Sequence, residues 1–315
     1  MKKRVLTLLL AGMLVLSATA CGSADGDSAS ASPVQTEAEA EAPAEAEAET
    51  EAAEETEPAE EEDVFEKALE NARNVESMEL QMVMDTSMQA SQDGEEQSAD
   101  FVMNMDMACI NDPFKLKMET TVDAGTGEEP VTISIYGEVG EDGTATAYMN
   151  DGTGWQSQTV GKTDLVQYDA SANMLGSIDT GSEYTADGME EVDGANAYKY
   201  AHTMSGEEAK EAILSSGALD SLTSAGIDPS QFESAMGDIG ELTEYIWIDE
   251  ATLYPVKYEI DMTEVMAAMM DSVLESMGDE AEGVSMSFSK MKMTMHFSNF
   301  NSVEDFEMPG NESEN

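Results

Sequence analysis

The sequence has few positive charges. Only 13 of its 315 residues are Lys or Arg, against 67 Asp and Glu, and the formal net charge at pH 7 is −54. Proteins that bind nucleic acid need a basic surface to neutralise phosphates, and attraction to anionic lipid headgroups needs one as well. The charge balance therefore excludes nucleic acid as a partner and argues against electrostatic binding to a membrane. Since 41% of the residues are hydrophobic, the chain still has enough apolar side chains to build a core.

The sequence also contains little of what catalysis usually needs. His202 and His296 are its only histidines, and Cys21 and Cys109 are its only cysteines. It has no Gly-x-Ser-x-Gly, His-Glu-x-x-His, Cys-x-x-Cys or Gly-rich phosphate-binding motif. Carboxylates are so numerous that pairs of them carry no information. We therefore predict that the protein is not an enzyme and that it has no cofactor and no dedicated metal site.

The first 20 residues have the pattern of a secretory signal peptide. Three basic residues at positions 2–4 precede an apolar stretch over 5–16, which is too short for a membrane span. Small residues at 17–20 lead into Cys21 and resemble the lipobox cut by lipoprotein signal peptidase. The resemblance implies that Cys21 becomes the mature N-terminus and carries a diacylglyceryl group, with palmitate-type acyl chains that anchor the protein in the membrane. The alternative is ordinary secretion with cleavage after Ala20, which leaves a free thiol.

Residues 22–63 are rich in Ala and Glu, with 16 acidic residues and no Lys or Arg. Such a segment cannot bury enough apolar surface to offset its chain entropy, so we predict a disordered acidic linker over 21–63. A neutral flexible chain of this length spans roughly 35 Å, and charge repulsion extends it. Without the three basic residues of the signal and the 16 acidic residues of the linker, residues 64–315 still carry a formal charge of −41. The remaining domain, predicted over 64–303 with a disordered acidic tail over 304–315, is therefore strongly acidic itself.

The first half of this domain reads as one helix followed by strands. Apolar residues at helical spacing predict a helix from Val64 to Asn74, with Asp63 as its candidate N-cap. Strict alternation of apolar and polar residues follows, interrupted by clusters of Gly, Asn, Asp and Pro. This pattern predicts an antiparallel meander with one apolar face. The alternating runs contain Met78–Met84, Phe101–Cys109, Phe114–Met118, Val131–Ile135 and Ala145–Met149.

The second half mixes helices with strands. We predict helices over 164–175, 206–222 and from Thr263 onward, strands over 196–204 and 284–300, and a hairpin over 242–262. In the last strand the inward set shifts between Phe288 and Met291, which predicts a β-bulge near Ser289. The predicted fold class is therefore α+β, with one large antiparallel sheet whose apolar face is covered by helices.

Two segments resemble a known family. They are the leading helix Phe65-x-x-Ala68-Leu69-x-x-Ala72-x-x-Val75-x-Ser77 and the hairpin Ile246-Trp247-Ile248-Asp249-x-x-Thr252-x-Tyr254-Pro255-Val256-Lys257. Together they resemble the LolA/LppX-like lipoprotein fold, and in particular the Met-rich lipoproteins of Gram-positive anaerobes that share it. The resemblance implies a sheet curved into a half-barrel around helices, with an apolar cavity, on the extracytoplasmic face of a Gram-positive cell membrane. Some relatives carry lipids or lipoproteins between membranes. The 205–240 segment does not align with a lipid-gating helix of that family.

Methionine is the most unusual part of the composition, with 25 residues against 8 Phe and 2 Trp. Met is adaptable in shape and is frequent on apolar surfaces that accept varied partners. With the resemblance, this predicts a cavity for an apolar ligand such as a lipid or an acyl chain. The predicted lining residues are Met82, Met84, Met103, Met105, Met107, Met118, Met266, Met269, Met270, Met291, Met293 and Met295.

Three readings of these methionines stay open. The first is the ligand cavity, and the second is a filled core in a structural or interaction module of the cell envelope. The third is Cu(I) binding through thioethers, because Met-x-Met-x-Met occurs twice and His296 follows the second copy. Alternation places His296 on the opposite face from its Met neighbours, which disfavours copper. It places Cys109 in phase with Met107, so we predict a buried, unreactive thiol. We also expect the protein to be a monomer.

Overall fold

The computed structural model describes residues 61–310, apart from 93–94, 128, 167, 177, 179–182, 216–239 and 278–282. Within these ranges the chain forms eleven strands in a single sheet, together with five helices. None of the described helices has both the length and the apolar character that a membrane crossing requires. The predicted signal segment, Cys21 and the linker up to residue 60 lie outside the described residues and stay predictions.

The strands are long at the centre of the sheet and short at its edges. They are β1 (Ser77–Gln92), β2 (Glu95–Asn111), β3 (Phe114–Asp123), β4 (Val131–Val139), β5 (Ala145–Asn150), β6 (Gln156–Val160), β7 (Thr185–Val192), β8 (Ala195–Met204), β9 (Leu242–Asp249), β10 (Pro255–Asp261) and β11 (Val284–Ser298). The helices are α1 (Glu61–Arg73), α2 (Lys162–Val166), α3 (Ala170–Gly176), α4 (Gly206–Ser215) and α5 (Thr263–Met277).

The sheet consists of two meanders. Strands β1 to β6 pair in chain order, as do β7 to β11, with α4 in the connection after β8 and α5 in the connection after β10. The antiparallel pair β1–β11 joins the two meanders at the centre, and β6 and β7 lie at opposite edges. The sheet is curved and not closed, which confirms the predicted α+β half-barrel.

Helix α1 lies against the β8–β9 half of the sheet. Val64 and Ala68 are buried in one cluster with Tyr200, Ile246 and Ile248. The prediction of this helix is confirmed, but its start is not, since the helix begins at Glu61 and Asp63 lies within its first turn.

The predicted helix over 164–175 is two short helices. Asp169 interrupts it, because its Oδ1 accepts a hydrogen bond from the backbone N–H of Ala172 at 2.7 Å and so caps α3. Leu165 of α2 and Met174 of α3 are both buried against the sheet. The predicted helix over 206–222 is described only as α4, and residues 216–239 lie outside the described residues.

Helix α5 and strand β11 form the centre of the core. Asp261 caps α5, because its Oδ1 accepts a hydrogen bond from the N–H of Thr263 at 3.0 Å. The register of β11 against β1 shifts between Phe288 and Lys290, so that Ser289 is the extra residue. The predicted bulge is therefore confirmed, and it keeps both halves of β11 directed apolar side inward.

The described start of the predicted acidic tail contacts the sheet. Lys115 forms an ion pair with Asp305, and its Nζ also donates to the carbonyl oxygen of Phe306 at 3.1 Å. The Phe306 ring lies edge-on to Tyr136, with 6.3 Å between the ring centroids. The acidic composition of this segment did not predict these contacts.

Candidate functional site

The predicted methionines meet in rows that run across the strands of the inner face. One row contains Met105 on β2, Met82 on β1 and Met295 on β11, which are direct register partners. The next row, two residues along the strands, contains Met103, Met84 and Met293. Cross-strand partners on one face lie about 5 Å apart, so each row is a continuous strip of thioether side chains.

The other predicted lining residues surround these rows. Met107, Met118 and Met291 lie on the same face, and Met266, Met269 and Met270 belong to α5, which packs against β11. All twelve predicted residues lie in or against one apolar cluster, and all are buried except Met118, which is half-buried. The fold therefore brings the predicted set together. Whether a ligand contacts these side chains stays a prediction.

The apolar inner face does not end where the buried cluster ends. The row through Met103 continues to Val122 on β3 and Val131 on β4. The row through Met105 continues to Thr120 and then to Ile133 on β4. The row through Met107 continues through Met118 and Ile135 to Met149 on β5.

Exposure rises steadily along these rows towards the β5 edge. Met103, Met105 and Met107 are buried, their β3 partners are half-buried, and at the end Val131 is 59%, Ile133 37% and Met149 46% exposed. We call these last three residues, with the half-buried Ile135, the open wing. The sequence predicted this face as buried core, and that part of the prediction is wrong, because the described helices leave it uncovered.

Helix α2 marks the limit of coverage. Its Leu165 side chain lies so close to Gly137 that a Cβ there would be 3.0 Å from Leu165 Cδ2. Any side chain at position 137 would therefore force Leu165 to move, and the glycine permits the close approach of the helix to β4. Because α2 has only five residues, it covers the sheet near Gly137 and does not extend along β4 to Ile133 and Val131.

The structure gives no support to a copper site that uses the histidine beside the second Met run. His296 lies on the outer face, where its Nδ1 is 3.1 Å from an Asp193 carboxylate oxygen. The neighbouring Met295 is buried on the inner face. Among the described residues there is also no group of three or more His, Cys, Asp or Glu side chains arranged to hold a metal ion.

The remaining thiol is buried, as predicted. Cys109 is fully buried beside Met78, whose carbonyl oxygen lies 3.8 Å from Sγ. Burial raises the pKa of the Cys109 thiol to about 12. At neutral pH the group is therefore protonated and a poor nucleophile or metal ligand.

Trp247 is the exception to the inward-apolar pattern, because it is buried on the outer face. Its Nε1 donates a hydrogen bond to Glu190 Oε2 at 3.0 Å, and Lys257 Nζ lies 4.0 Å from its ring centroid. Lys199 lies over the same ring at 5.4 Å and pairs with Glu190 at 3.0 Å. These contacts account for the residue as part of the packing between β7 and β10.

A buried carboxylate on the inner face was missed by the sequence reasoning. Glu244 of β9 is only 5% exposed, and its two oxygens accept hydrogen bonds from the hydroxyls of Tyr184 and Tyr258, the second at 2.7 Å. Burial, with the charge of Glu244, raises the pKa of Tyr258 well above its usual value. A signal was present, since Glu244 stands in phase with Leu242 and Ile246, where alternation predicts an apolar residue.

The chain is similar to one protein family and to several solved structures. A family model described as "Family of unknown function (DUF6612)" matches residues 60–313. Among solved structures, the lipoprotein LppX of Mycobacterium tuberculosis is 14% identical over 79% of this chain and 100% of its own, with a TM-score of 0.36. LprF from Mycobacterium bovis is 14% identical over 79% of this chain and 96% of its own, with a TM-score of 0.40. A LolA superfamily protein from Nitrosomonas europaea is 11% identical over 78% and 94%, with a TM-score of 0.20. No curated protein matches the chain.

Proposed function

The chain belongs to the DUF6612 family of unknown function, and we propose that it is a lipid-anchored extracytoplasmic protein that binds an apolar ligand on the inner face of its sheet. The ligand is a lipid or an acyl chain. It contacts the open wing first and extends from there along the methionine rows. The protein acts by binding and not by catalysis.

One observation carries this proposal. Two rows of the inner face are apolar along their whole length. One runs from the buried Met103 to the exposed Val131, and the other runs from the buried Met107 to the exposed Met149. An exposed apolar surface on a soluble domain usually marks a binding site, since leaving it in water is unfavourable. Here the exposed part is continuous with the core, so a ligand that covers the wing also reaches the methionines.

The chemistry of the buried part fits a ligand of variable shape. Met has three rotatable bonds and no branch, so a cluster of methionines can repack around different apolar molecules at low cost. A core built from Leu and Ile would lose more packing energy than a methionine core if its side chains had to rearrange around a ligand. The twelve clustered methionines therefore support binding of chains rather than of one rigid molecule.

Binding is tested on protein purified from the membranes of its own host. Native mass spectrometry should find the protein with an added mass in the lipid range, and organic extraction should release that molecule. The released molecule should rebind to extracted protein at saturable stoichiometry. Absence of both a co-purified molecule and saturable rebinding would refute the proposal and favour the alternative, a filled-core interaction module.

The membrane anchor rests on the lipobox resemblance at Cys21. Two or more acyl chains give stable anchoring, because each buried CH2 contributes about 0.8 kcal/mol. Cys21→Ala removes the acceptor for the diacylglyceryl group, so the variant should move from the membrane to the soluble fraction. The substitution Ser23→Ala, two residues away, is the matched control and should leave the protein in the membrane. Membrane association of the Cys21→Ala variant would contradict the anchor.

A further inference from the structure

A buried carboxylate, Glu244, lies beside the apolar rows of the inner face. Glu244 on β9 stands in register between His202 on β8 and Ile260 on β10, and Ile260 is in turn the register partner of Met293. The carboxylate therefore lies in the same row as Met293 and Met84. Two strand spacings of about 4.8 Å separate it from Met293, so roughly 10 Å of sheet lies between the charge and the methionines.

The hydrogen bonds to Glu244 leave it short of positive charge. Each carboxylate oxygen accepts one hydrogen bond from a neutral tyrosine hydroxyl, although each has a second acceptor position. Among the described residues, no Lys, Arg or His forms an ion pair with it. Buried carboxylates are normally paired with a cation, because neutral donors offset only part of the loss of hydration.

We propose that Glu244 receives the ammonium group of an amphiphilic ligand whose apolar chain lies along the methionine rows. The inference rests on the proposed function and names the polar end of the ligand. An ammonium group supplies the missing charge and up to three hydrogen-bond donors, which is enough for the second acceptor position of each carboxylate oxygen. A neutral hydroxyl supplies one donor and no charge.

Two partly exposed rings lie next to Glu244, because Tyr184 donates a hydrogen bond to it and His202 is its register partner. Tyr184 and His202 are half-buried, and their ring centroids lie 5.3 Å apart. Phe65 of α1 stacks on the other side of Tyr184 at 4.7 Å. A ligand reaches the carboxylate by displacing these rings, and its ammonium group then takes over the hydrogen bond that the Tyr184 hydroxyl donates to Glu244. The strongly negative domain also raises the local concentration of cationic molecules.

The probes are dodecylamine and dodecanol, which share a chain length and differ in charge at pH 7. Each displaces the neutral fluorophore N-phenyl-1-naphthylamine from the mature chain carrying Cys21→Ala, at 0.15 M salt, where surface attraction is screened beyond about 8 Å. The protein with Glu244 intact should bind dodecylamine about tenfold more tightly than dodecanol. Glu244→Gln should remove this preference by weakening the binding of dodecylamine. Glu119→Gln, which removes a charge from the exposed outer face of β3, should retain it.

A second measurement needs no variant. Carbodiimide couples a bound amine to a carboxylate in contact with it, and peptide mass spectrometry then locates the amide. Dodecylamine coupled to Glu244 supports the proposal even if Glu244→Gln fails to fold, whereas coupling only to other carboxylates overturns it. Equal affinity of the protein with Glu244 for the two probes also overturns the proposal, but it does not contradict the proposed apolar site. If neither probe displaces the fluorophore, the proposed function itself fails.

Discussion

Replacing the three exposed apolar side chains of the open wing by polar ones should weaken ligand binding about a hundredfold without unfolding the protein. The variant is Val131→Thr, Ile133→Thr and Met149→Gln combined. Threonine keeps the β-branched shape that strands favour, and Gln is close to Met in length. All three positions are exposed, where substitutions usually change the free energy of unfolding by less than about 0.5 kcal/mol each.

The expected loss of affinity follows from the area that a ligand can still cover. The three side chains leave from 37% to 59% of their surface exposed. Complete burial of such a side chain is worth about 2 kcal/mol, so covering these fractions contributes roughly 3 kcal/mol to binding. That free energy corresponds to a change on the order of a hundredfold in Kd.

The assay is titration of N-phenyl-1-naphthylamine, with urea unfolding measured on the same samples. The matched control is Val83→Thr with Met189→Gln, because Val83 is exposed on the outer face of β1 and Met189 is exposed on the far edge strand β7. The control should bind as the wild type does. Unchanged affinity in the wing variant, or an equal loss in the control, would refute the assignment of the wing as the ligand surface.

Two predictions concern the buried face, and one concerns a helix cap. Met84→Ala should lower the free energy of unfolding by about 2–5 kcal/mol in urea titrations, because it leaves a cavity, whereas Met84→Leu should cost less than about 1.5 kcal/mol; equal costs would argue against tight packing there. Cys109 should not react with a thiol reagent at pH 8 unless urea is added. Its pKa of about 12 implies that the buried thiol contributes stability below its unfolded pKa near 9, and that this stability is lost as the pH rises from there towards 12. Cys109→Ser, measured across the same pH range, should lack this dependence. Asp169→Ala should cost about 1 kcal/mol in thermal or urea unfolding through loss of the α3 cap. Asp271→Ala, at an exposed position in α5, is the comparison and should change the free energy of unfolding by less than about 0.5 kcal/mol.

Alternation predicted the sheet well because strand side chains have a strict period of two. The Met runs of β1, β2 and β11 turned out to be buried on one face, and the phase change in β11 located the bulge at Ser289. The hairpin of β9 and β10 was equally clear, since a polar turn separates two apolar runs. These elements need only local pattern and the pairing of neighbours along the chain.

Strand β7 was not predicted, for a local reason. Its sequence from Thr185 to Val192 is acidic and contains Gly188 at a positive φ of 98°. Seven of its eight residues are exposed, so there is no apolar phase to detect. An edge strand of this kind is held by its hydrogen bonds to β8, which depend on a partner and not on its own composition.

The open wing could not be predicted for a different reason. Alternation shows which side of a strand is apolar, but not whether a helix covers that side. Coverage near Gly137 depends on the close approach of Leu165, and it stops there because α2 has only five residues. Glu244 was missed although its phase was visible, because a sequence pattern does not show which hydroxyls meet a side chain: Tyr258 comes from the paired strand β10 and Tyr184 from the segment before β7.

The residue types along the rows indicate the order in which a ligand is bound. On β4 the exposed end carries the β-branched Val131 and Ile133, whose side chains have little rotational freedom and present a fixed surface before any ligand arrives, and the flexible member of the open wing is Met149 on β5. The buried end carries methionines, which change shape easily. Binding to a fixed surface costs little conformational entropy, and entry further inward costs only the repacking of adaptable side chains. A ligand should therefore contact the wing first and gain its remaining affinity as it displaces methionine packing, so wing substitutions should slow association whereas Met84→Leu should speed dissociation.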